Sequence, residues 1–376
     1  MMRVEDLLAE PLDRAAVLRW LRETDPERMG LLWKAADEVR RANVGDEVHL
    51  RGLIEASNYC VRKCGYCGIR LENRAIDRYR MTDEEILDCA RRAVVLKYGT
   101  VVIQAGEDYG LTTEGIAAVV RRIKAETGLA VTLSLGERPD ADLVAWREAG
   151  ADRYLLRFET SDTALYERIH PSRPGSPQPN DRFAILRRLG ELGYEVGSGI
   201  MVGIPGQTWD TLATDLLTFR DFDLDMIGIG PYIPHPQTPL GVQPPPVDGG
   251  SQVPATEDMV LRCVALTRIL CPEANIPSTT ALATINRASG REHGLQRGAN
   301  IVMPNLTPPM YRVKYEIYPA KACIEETAEQ CALCLHGRIR SIGRTFGSGH
   351  GERRRRVHDR AQGSTDGAGT GRGPGS

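Results

Sequence analysis

The sequence predicts an α/β fold, a parallel (βα)8 barrel of the TIM type with an N-terminal helical lead-in and a C-terminal extension. Three observations carry this. From Val48 onward, eight short apolar runs alternate with amphipathic stretches. Five of the runs end in glycine-rich or polar text, as barrel strands do where the following loops build a site. A group of three cysteines follows the first run directly. An open doubly wound sheet gives the same alternation, and the count of eight favours closure.

Residues 1–45 read as an N-terminal helical segment, because Leu7, Leu8, Val17, Leu18, Leu21, Leu31, Leu32 and Ala35 recur at roughly helical spacing among charges. Charges break this stretch every few positions, which excludes a signal-peptide core or a membrane span and points to the cytoplasm. The barrel is expected over 46–305. Its strand candidates are "VHLRGLIEAS", "TVVIQAG", "AVTLSLG", "RYLLRFE", "EVGSGIMVG", "MIGIGPY", "NIPSTTALA" and "NIVMP". Between the first two lies "TDEEILDCARRAVVLKYG", opened by Thr82 with Glu85 three residues on, a capping-box pattern. After Pro304 the rhythm stops, and 306–346 form a closing segment that holds a second group of cysteines. The remainder, 347–376, is rich in Gly, Ser and Arg with almost nothing apolar, so it is expected to be a disordered tail. Its basic run Arg353 to Arg356 reads as solvated, not as a nucleic-acid contact.

Composition narrows the function. The chain is 41% hydrophobic and 26% charged, with a formal net charge of −2, so it has no global attraction to nucleic acid or anionic membrane. A small substrate is expected. Six of the nine cysteines sit in two tight groups of three, unlike a disulfide framework, which points to metal binding under reducing conditions. Cys60, Cys64 and Cys67 are spaced C-x3-C-x2-C. Three thiolates hold three irons of a four-iron cluster and leave the fourth open for reaction. Zinc is the rival, but it wants a fourth ligand. None follows before Cys89, which lies in a helix pattern, and His49 precedes the group on a strand. Cys89, Cys263 and Cys271 stand at apolar helical positions and read as small buried hydrophobes.

The cysteine motif, with Tyr66 before its last member and a barrel rhythm around it, resembles the radical S-adenosylmethionine (SAM) superfamily. The resemblance implies a SAM chelated by the open iron and cleaved by one electron to methionine and a 5'-deoxyadenosyl radical, with Tyr66 packed on the adenine. It also implies further cofactor-binding residues. "QAGED" resembles the glycine-glycine-glutamate element and supplies Gly106 and Glu107. Glu159 in "LLRFET" matches an acidic SAM contact, and Arg182 is placed to pair the SAM carboxylate bidentately. "GIPGQT" runs along the adenine, Ile229 in "IGIGPY" adds backbone contacts, and Ser134 joins the set. Taken by themselves, Glu159 and Arg182 read equally well as a structural ion pair.

From about Arg51 to Cys334 the sequence is similar to the HydE family of FeFe-hydrogenase maturases. "CGYCGIR", "RYRMT", "VTLSLGE", "ELGYEVGSGIMVGIPGQT" and "DMIGIGPYIPHPQTPL" carry the similarity. Biotin synthase and methylornithine synthase are related and share the barrel. The resemblance implies assembly of the di-iron active-site subcluster, acting on an iron-carbonyl-cyanide-cysteine complex alongside other maturases and an electron donor. Arg157, Thr132, Thr279, Thr280 and Tyr311 are the implied substrate contacts, and the other reading of Arg157 is a buried bridge. Cys323, Cys331 and Cys334 resemble the family's auxiliary iron-sulfur site, with a peripheral role; zinc with His336 competes by spacing. The sequence departs from the pattern at Ala105, where serine is expected, at Phe158, where histidine is common, and in the long proline-rich stretch 171–181. The alternatives are a related radical SAM enzyme on an amino-acid-like substrate, or a non-catalytic iron-sulfur scaffold.

Overall fold

Six strands follow one another in sequence order around a single axis in the computed structural model, which describes residues 3–172, 181–245 and 250–353. They are β1 (Glu47–Ser57), β2 (Thr100–Ala105), β3 (Ala130–Ser134), β4 (Arg153–Leu155), β5 (Glu195–Val202) and β6 (Met226–Pro231). Each pairs with the next in parallel, and β7 (Ile301–Val302) pairs with β1 from the other side. The extended residues 275–277 fill the gap between β6 and β7, Asn275 bridging Met226 and Pro277 bridging Ile301. The ring therefore closes, with the expected eight staves.

The seventh expected strand is corrected in extent. Only the start of "NIPSTTALA" is extended, and from Thr280 the chain is the helix Thr280–Ile285. The hydroxyl of Thr279 accepts a hydrogen bond from the Leu282 N–H, and that cap starts a helix where the apolar run suggested a strand. Elsewhere the helices form as expected: Thr82 and Glu85 make a reciprocal capping box on the helix Asp83–Val95. The lead-in helices Val4–Ala9, Arg14–Leu21 and Pro26–Val44 bury Val17, Trp20, Leu21 and Leu32. They pack on the helices Trp209–Asp221 and Glu257–Leu270 outside the barrel.

Alternate strand residues point inward. At the amino-terminal end of the barrel these include Arg51, Thr100, Arg153 and Glu195, all buried. Here the expectation of a tail from 347 is corrected. β8 (Thr345–Phe346) pairs with the start of β1, and the chain then crosses the barrel mouth. The His350 carbonyl accepts from Thr100 Oγ1 at 2.9 Å and from Arg153 Nη2 at 3.1 Å. The Gly351 carbonyl accepts from Arg51 Nη2 at 2.9 Å and from Asn275 Nδ2 at 3.1 Å. Arg353 is buried against Asp223 at 2.7 Å and Asp225 at 3.4 Å. The glycines are required by this fit: a Cβ on Gly99 would lie 1.7 Å from the Gly349 carbonyl oxygen, and one on Gly351 would lie 2.8 Å from the His49 ring. Glycine-rich text here is a docking surface without side chains, and buried arginines supply the donors. Arg354 to Arg356, and the rest of the expected tail, lie outside the described residues.

Replacing Arg353 by Ala removes a cation from the fully buried Asp225. The expected cost is about 3 kcal/mol of stability, read as a lowered denaturant midpoint at unchanged slope; a solvated Arg353 would leave the midpoint where it is.

Candidate active site

The three cysteines lie on the loop that leaves the carboxyl end of β1, without regular secondary structure. Backbone contacts made by the residues around them fix its path. Arg70 Nε donates to the Cys64 carbonyl at 2.9 Å, and Asn73 Nδ2 donates to that of Gly68 at 2.6 Å. Arg78, the first residue of "RYRMT", donates to the carbonyls of Ile69, Arg70 and Asn73. The Gly65 N–H bonds the Ile169 carbonyl and the Gly68 N–H bonds that of Ile317, tying the loop to the helix Thr163–Ile169 and to the closing segment. Gly106 is needed beside it, because a Cβ there would lie 2.1 Å from the Tyr59 carbonyl oxygen.

Cys60, Cys64 and Cys67 all line one cavity of about 350 Å3 at the carboxyl ends of the strands. Burial, and then the neighbouring thiols, raise Cys64 well above the ordinary thiol range; burial and Cys60 push Cys67 up to about 12. Thiols so placed ionise only against added cations, as the irons of a cluster provide. No three His, Cys, Asp or Glu side chains among the described residues converge on one metal-ion position. Three thiols on one loop facing one cavity are the donor set of a four-iron cluster that takes one thiolate at each of three corners. Tyr66 packs against an apolar group made by Leu165, Ile169, Met201, Ile204, Tyr232 and Leu240.

Behind the thiols runs a chain of buried charges. Arg62 pairs with Glu107 at 2.9 Å and with Glu137 at 2.5 Å. Arg182 Nε donates to Glu137 at 2.9 Å, and its Nη2 meets His170 Nε2 at 2.6 Å. Burial, with Arg182 and Arg62 nearby, keeps His170 neutral. Its Nε2 accepts from Arg182, so Nδ1 carries the proton toward the Tyr166 hydroxyl at 3.2 Å. Arg182 is thus already held by protein groups at the cavity wall, on a pair the sequence reading did not include.

Glu159 has the left-handed φ of 62° and is 5% exposed. That conformation costs a non-glycine residue about 1 kcal/mol or more. The bridge to Ile200 of β5 holds it, and the carboxylate turns into the cavity with Oε2 lacking a hydrogen-bond partner. Arg157 Nε stands 3.8 Å from it, beyond hydrogen-bond reach, while Arg157 Nη2 donates to the carbonyls of Ile200 and Gly228. Asp215 accepts from the Ser161 N–H and hydroxyl and from Gln207 Nε2, so one buried carboxylate anchors the loops after both β4 and β5.

Of the expected site residues, Tyr66, Gly106, Glu107, Ser134, Arg157, Glu159, Arg182, Thr279 and Thr280 line this cavity with the cysteines. Four do not. Tyr311 is corrected: it stacks on Tyr79 at 4.7 Å and donates to Glu85, outside the cavity, because its short helix Pro309–Arg312 runs outside the barrel. Thr132 is buried in the barrel two residues before Ser134 and does not reach the cavity. Ile229 is buried in the core, and its carbonyl accepts from Thr279 Oγ1 at 3.2 Å. Cys334 is exposed, whereas Cys323 and Cys331 line the cavity, so the second group is split and two of its three members are not peripheral. His336 tilts against the Phe346 ring instead of facing the cysteines. Residues 173–180 of the proline-rich stretch lie outside the described residues.

The closing segment supplies groups that sequence reasoning missed. Lys321 Nζ is 2.6 Å from Glu55 Oε1, both buried, and Asn305 Nδ2 donates to Glu55 Oε2. Arg291 and Tyr318 join them on the wall. A carboxylate in the apolar run "RGLIEAS" was the legible signal for Glu55; nothing local marked Lys321.

Residues 54–218 match the model of the radical SAM superfamily. The chain is 48% identical to the [FeFe] hydrogenase maturase subunit HydE of Thermotoga maritima, over 86% of this chain and 89% of that protein. It is 29% identical to 3-methylornithine synthase of Methanosarcina acetivorans, over 73% and 74% of the two. Among solved structures, methylornithine synthase (PylB) superposes with a TM-score of 0.77 at 26% identity, covering 92% of this chain and 97% of that one. The maturase HydG of Carboxydothermus hydrogenoformans shares the fold at 0.73 and 17% identity, covering 90% and 78%. A three-thiol loop on a closed parallel barrel, and close similarity along nearly the whole chain, agree: this protein is a radical SAM enzyme and belongs to the HydE family of [FeFe] hydrogenase maturases.

Proposed function

We propose that this enzyme directs a SAM-derived radical at a small iron-carbonyl-cyanide-cysteine complex, during assembly of the FeFe-hydrogenase di-iron subcluster. The observation that carries the reading is one cavity lined by Cys60, Cys64 and Cys67 together with the cationic side chains of Arg157 and Arg291, and of Lys321 in its pair with Glu55. A cluster alone would need the thiols; an anionic substrate needs the cations as well.

Cys60, Cys64 and Cys67 hold three irons. The bound cluster and SAM supply the electron and the 5'-deoxyadenosyl radical. Tyr66 offers its ring to the adenine, and the free Oε2 of Glu159 accepts from a donor group of SAM. Gly106, Glu107 and Ser134 complete the cofactor side. Arg182, fixed by Glu137 and His170, presents positive charge toward the SAM carboxylate. Arg157, Thr279 and Thr280 meet the substrate, and Arg291 and Lys321 extend that side. The Lys321–Glu55 pair at one end and residues 347–353 at the other keep water out of the barrel, which protects a radical from quenching. The auxiliary iron-sulfur site takes Cys323 and Cys331, with Cys334 turning in from the surface, and the core reaction proceeds without it. Other maturases and an electron donor are the partners. No described helix is long and apolar enough to cross a membrane.

Anaerobic reconstitution with iron and sulfide, followed by SAM and dithionite, is expected to give 5'-deoxyadenosine from wild type and none from Cys64→Ala. Adding the iron-carbonyl-cyanide-cysteine complex is expected to increase that yield, and adding lysine is not; the reverse order moves the protein to the methylornithine synthase type. Glu137→Gln leaves Arg62 and Arg182 sharing one fewer carboxylate. Stability should fall by about 3 kcal/mol in denaturant titration, and SAM affinity should fall with it.

A further inference from the structure

The inner faces of β5 and β6 carry glycine at successive inward positions, Gly197 and Gly199 on one strand, Gly228 and Gly230 on the other. The facing strands offer Leu53, Glu55, Gln104, Ser134, Leu155 and Arg157 to the cavity. Glycine inside a strand loses packing and costs about 0.5–1 kcal/mol relative to alanine, so four in one wall need a reason.

Two of them have a structural one. A Cβ on Gly199 would lie 2.1 Å from the Gly228 carbonyl oxygen, and one on Gly197 would lie 2.7 Å from Met226 Cε. The other two do not. At Gly228 the nearest atom to an added Cβ is the Ser198 carbonyl oxygen at 3.8 Å, and at Gly230 it is Ala281 Cβ at 3.4 Å. Neither residue has a positive φ that would demand glycine. Both line the cavity. The space they leave bare is bordered by Arg157 Nε, 3.9 Å from the Cβ position at 228, and by Thr279 Oγ1, 3.6 Å from that at 230. Packing would accept a methyl at either position; the cavity would lose its volume.

We infer that Gly228 and Gly230 are specificity-determining residues, which reserve the space between Arg157 and Thr279 for a substrate that is broad in cross-section. This rests on the substrate reading above. A compact metal complex, with ligands projecting on several sides of one centre, needs such a bare wall; an extended amino-acid chain does not. Nothing is transferred by these residues, and their effect is steric.

The test is a kinetic series on the reconstituted enzyme, with Gly228→Ala, Gly230→Ala and Gly230→Val, the iron-carbonyl-cyanide-cysteine complex as substrate and SAM binding measured in parallel. Expected are melting temperatures close to wild type and a KM for the complex raised about tenfold or more per added methyl. The Kd for SAM should move far less. Equal KM values across the series overturn the inference while the substrate reading stands. A loss confined to SAM affinity also overturns it, because the wall would then serve the cofactor. A wild type with no response to the complex overturns the substrate reading and this inference with it.

Discussion

Four buried charges in alternation, Glu107, Arg62, Glu137 and Arg182, hold the active-site mouth together. Arg62 comes from the loop after β1, Glu107 from that after β2, Glu137 from that after β3, and Arg182 from the helix that returns to β5. Each loop by itself is a short irregular segment, and none packs enough apolar surface to fix its own shape. Burying a single ion there would cost several kcal/mol, whereas two cations and two carboxylates in contact neutralise one another and gain strength from the low dielectric. The chain thereby turns three loops and the start of a helix into one wall, and the cysteines inherit its rigidity. Because every member is satisfied by a member from another loop, the wall forms only when the whole barrel has closed.

The barrel interior is arranged around the same problem of placing charge away from water. At the amino-terminal end, Arg153 pairs with Glu195 while Arg51 Nη1 faces the Met226 sulfur, and backbone carbonyls of His350 and Gly351 supply the further acceptors. At the other end, Lys321 reaches from the closing segment to Glu55 on β1. Both seals are made by the C-terminal part of the chain. The barrel supplies the geometry, and the extension makes it a closed vessel. This division explains why the extension is wound over both ends and is not a separate unit.

How much of this was legible follows from how local each signal is. Cysteine spacing, period-two apolar runs and the Thr82 capping box are set within a few residues, and the cluster loop, β1 to β3, β5, β6 and the helix Asp83–Val95 appear as read, while β4 stops at Leu155, short of the run "RYLLRFE". The seventh stave was overstated because an apolar run does not distinguish a strand from a capped helix until the cap itself is weighed, and Thr279 is that cap. Tyr311 was misplaced because direction into or out of a barrel depends on where a short helix docks, which the surrounding text does not encode. Glu137 stood inside the quoted "VTLSLGE" and was passed over, since its importance comes from two arginines 75 and 45 residues away. The tail misled for a different reason: glycine-rich composition is shared by chains that cannot pack and by chains that pack so closely that no side chain fits.

Two of the departures from the family pattern can be weighed on geometry. In "RFET" the left-handed turn at Glu159 separates neighbours, sending the carboxylate into the cavity while Phe158 enters the core. There the ring lies 5.2 Å from Phe183 and 5.6 Å from Phe219. A phenylalanine where histidine is common therefore trades a polar group for aromatic packing behind the wall, without touching the cavity contents. Ala105 differs, because it lines the cavity beside Gly106. With no hydroxyl at 105 the cavity wall has one donor fewer beside Gly106, and the same cavity carries Arg157, Arg291 and Lys321. Of those three, Lys321 is already matched by Glu55 at 2.6 Å, so any charge selection on that side falls to Arg157 and Arg291.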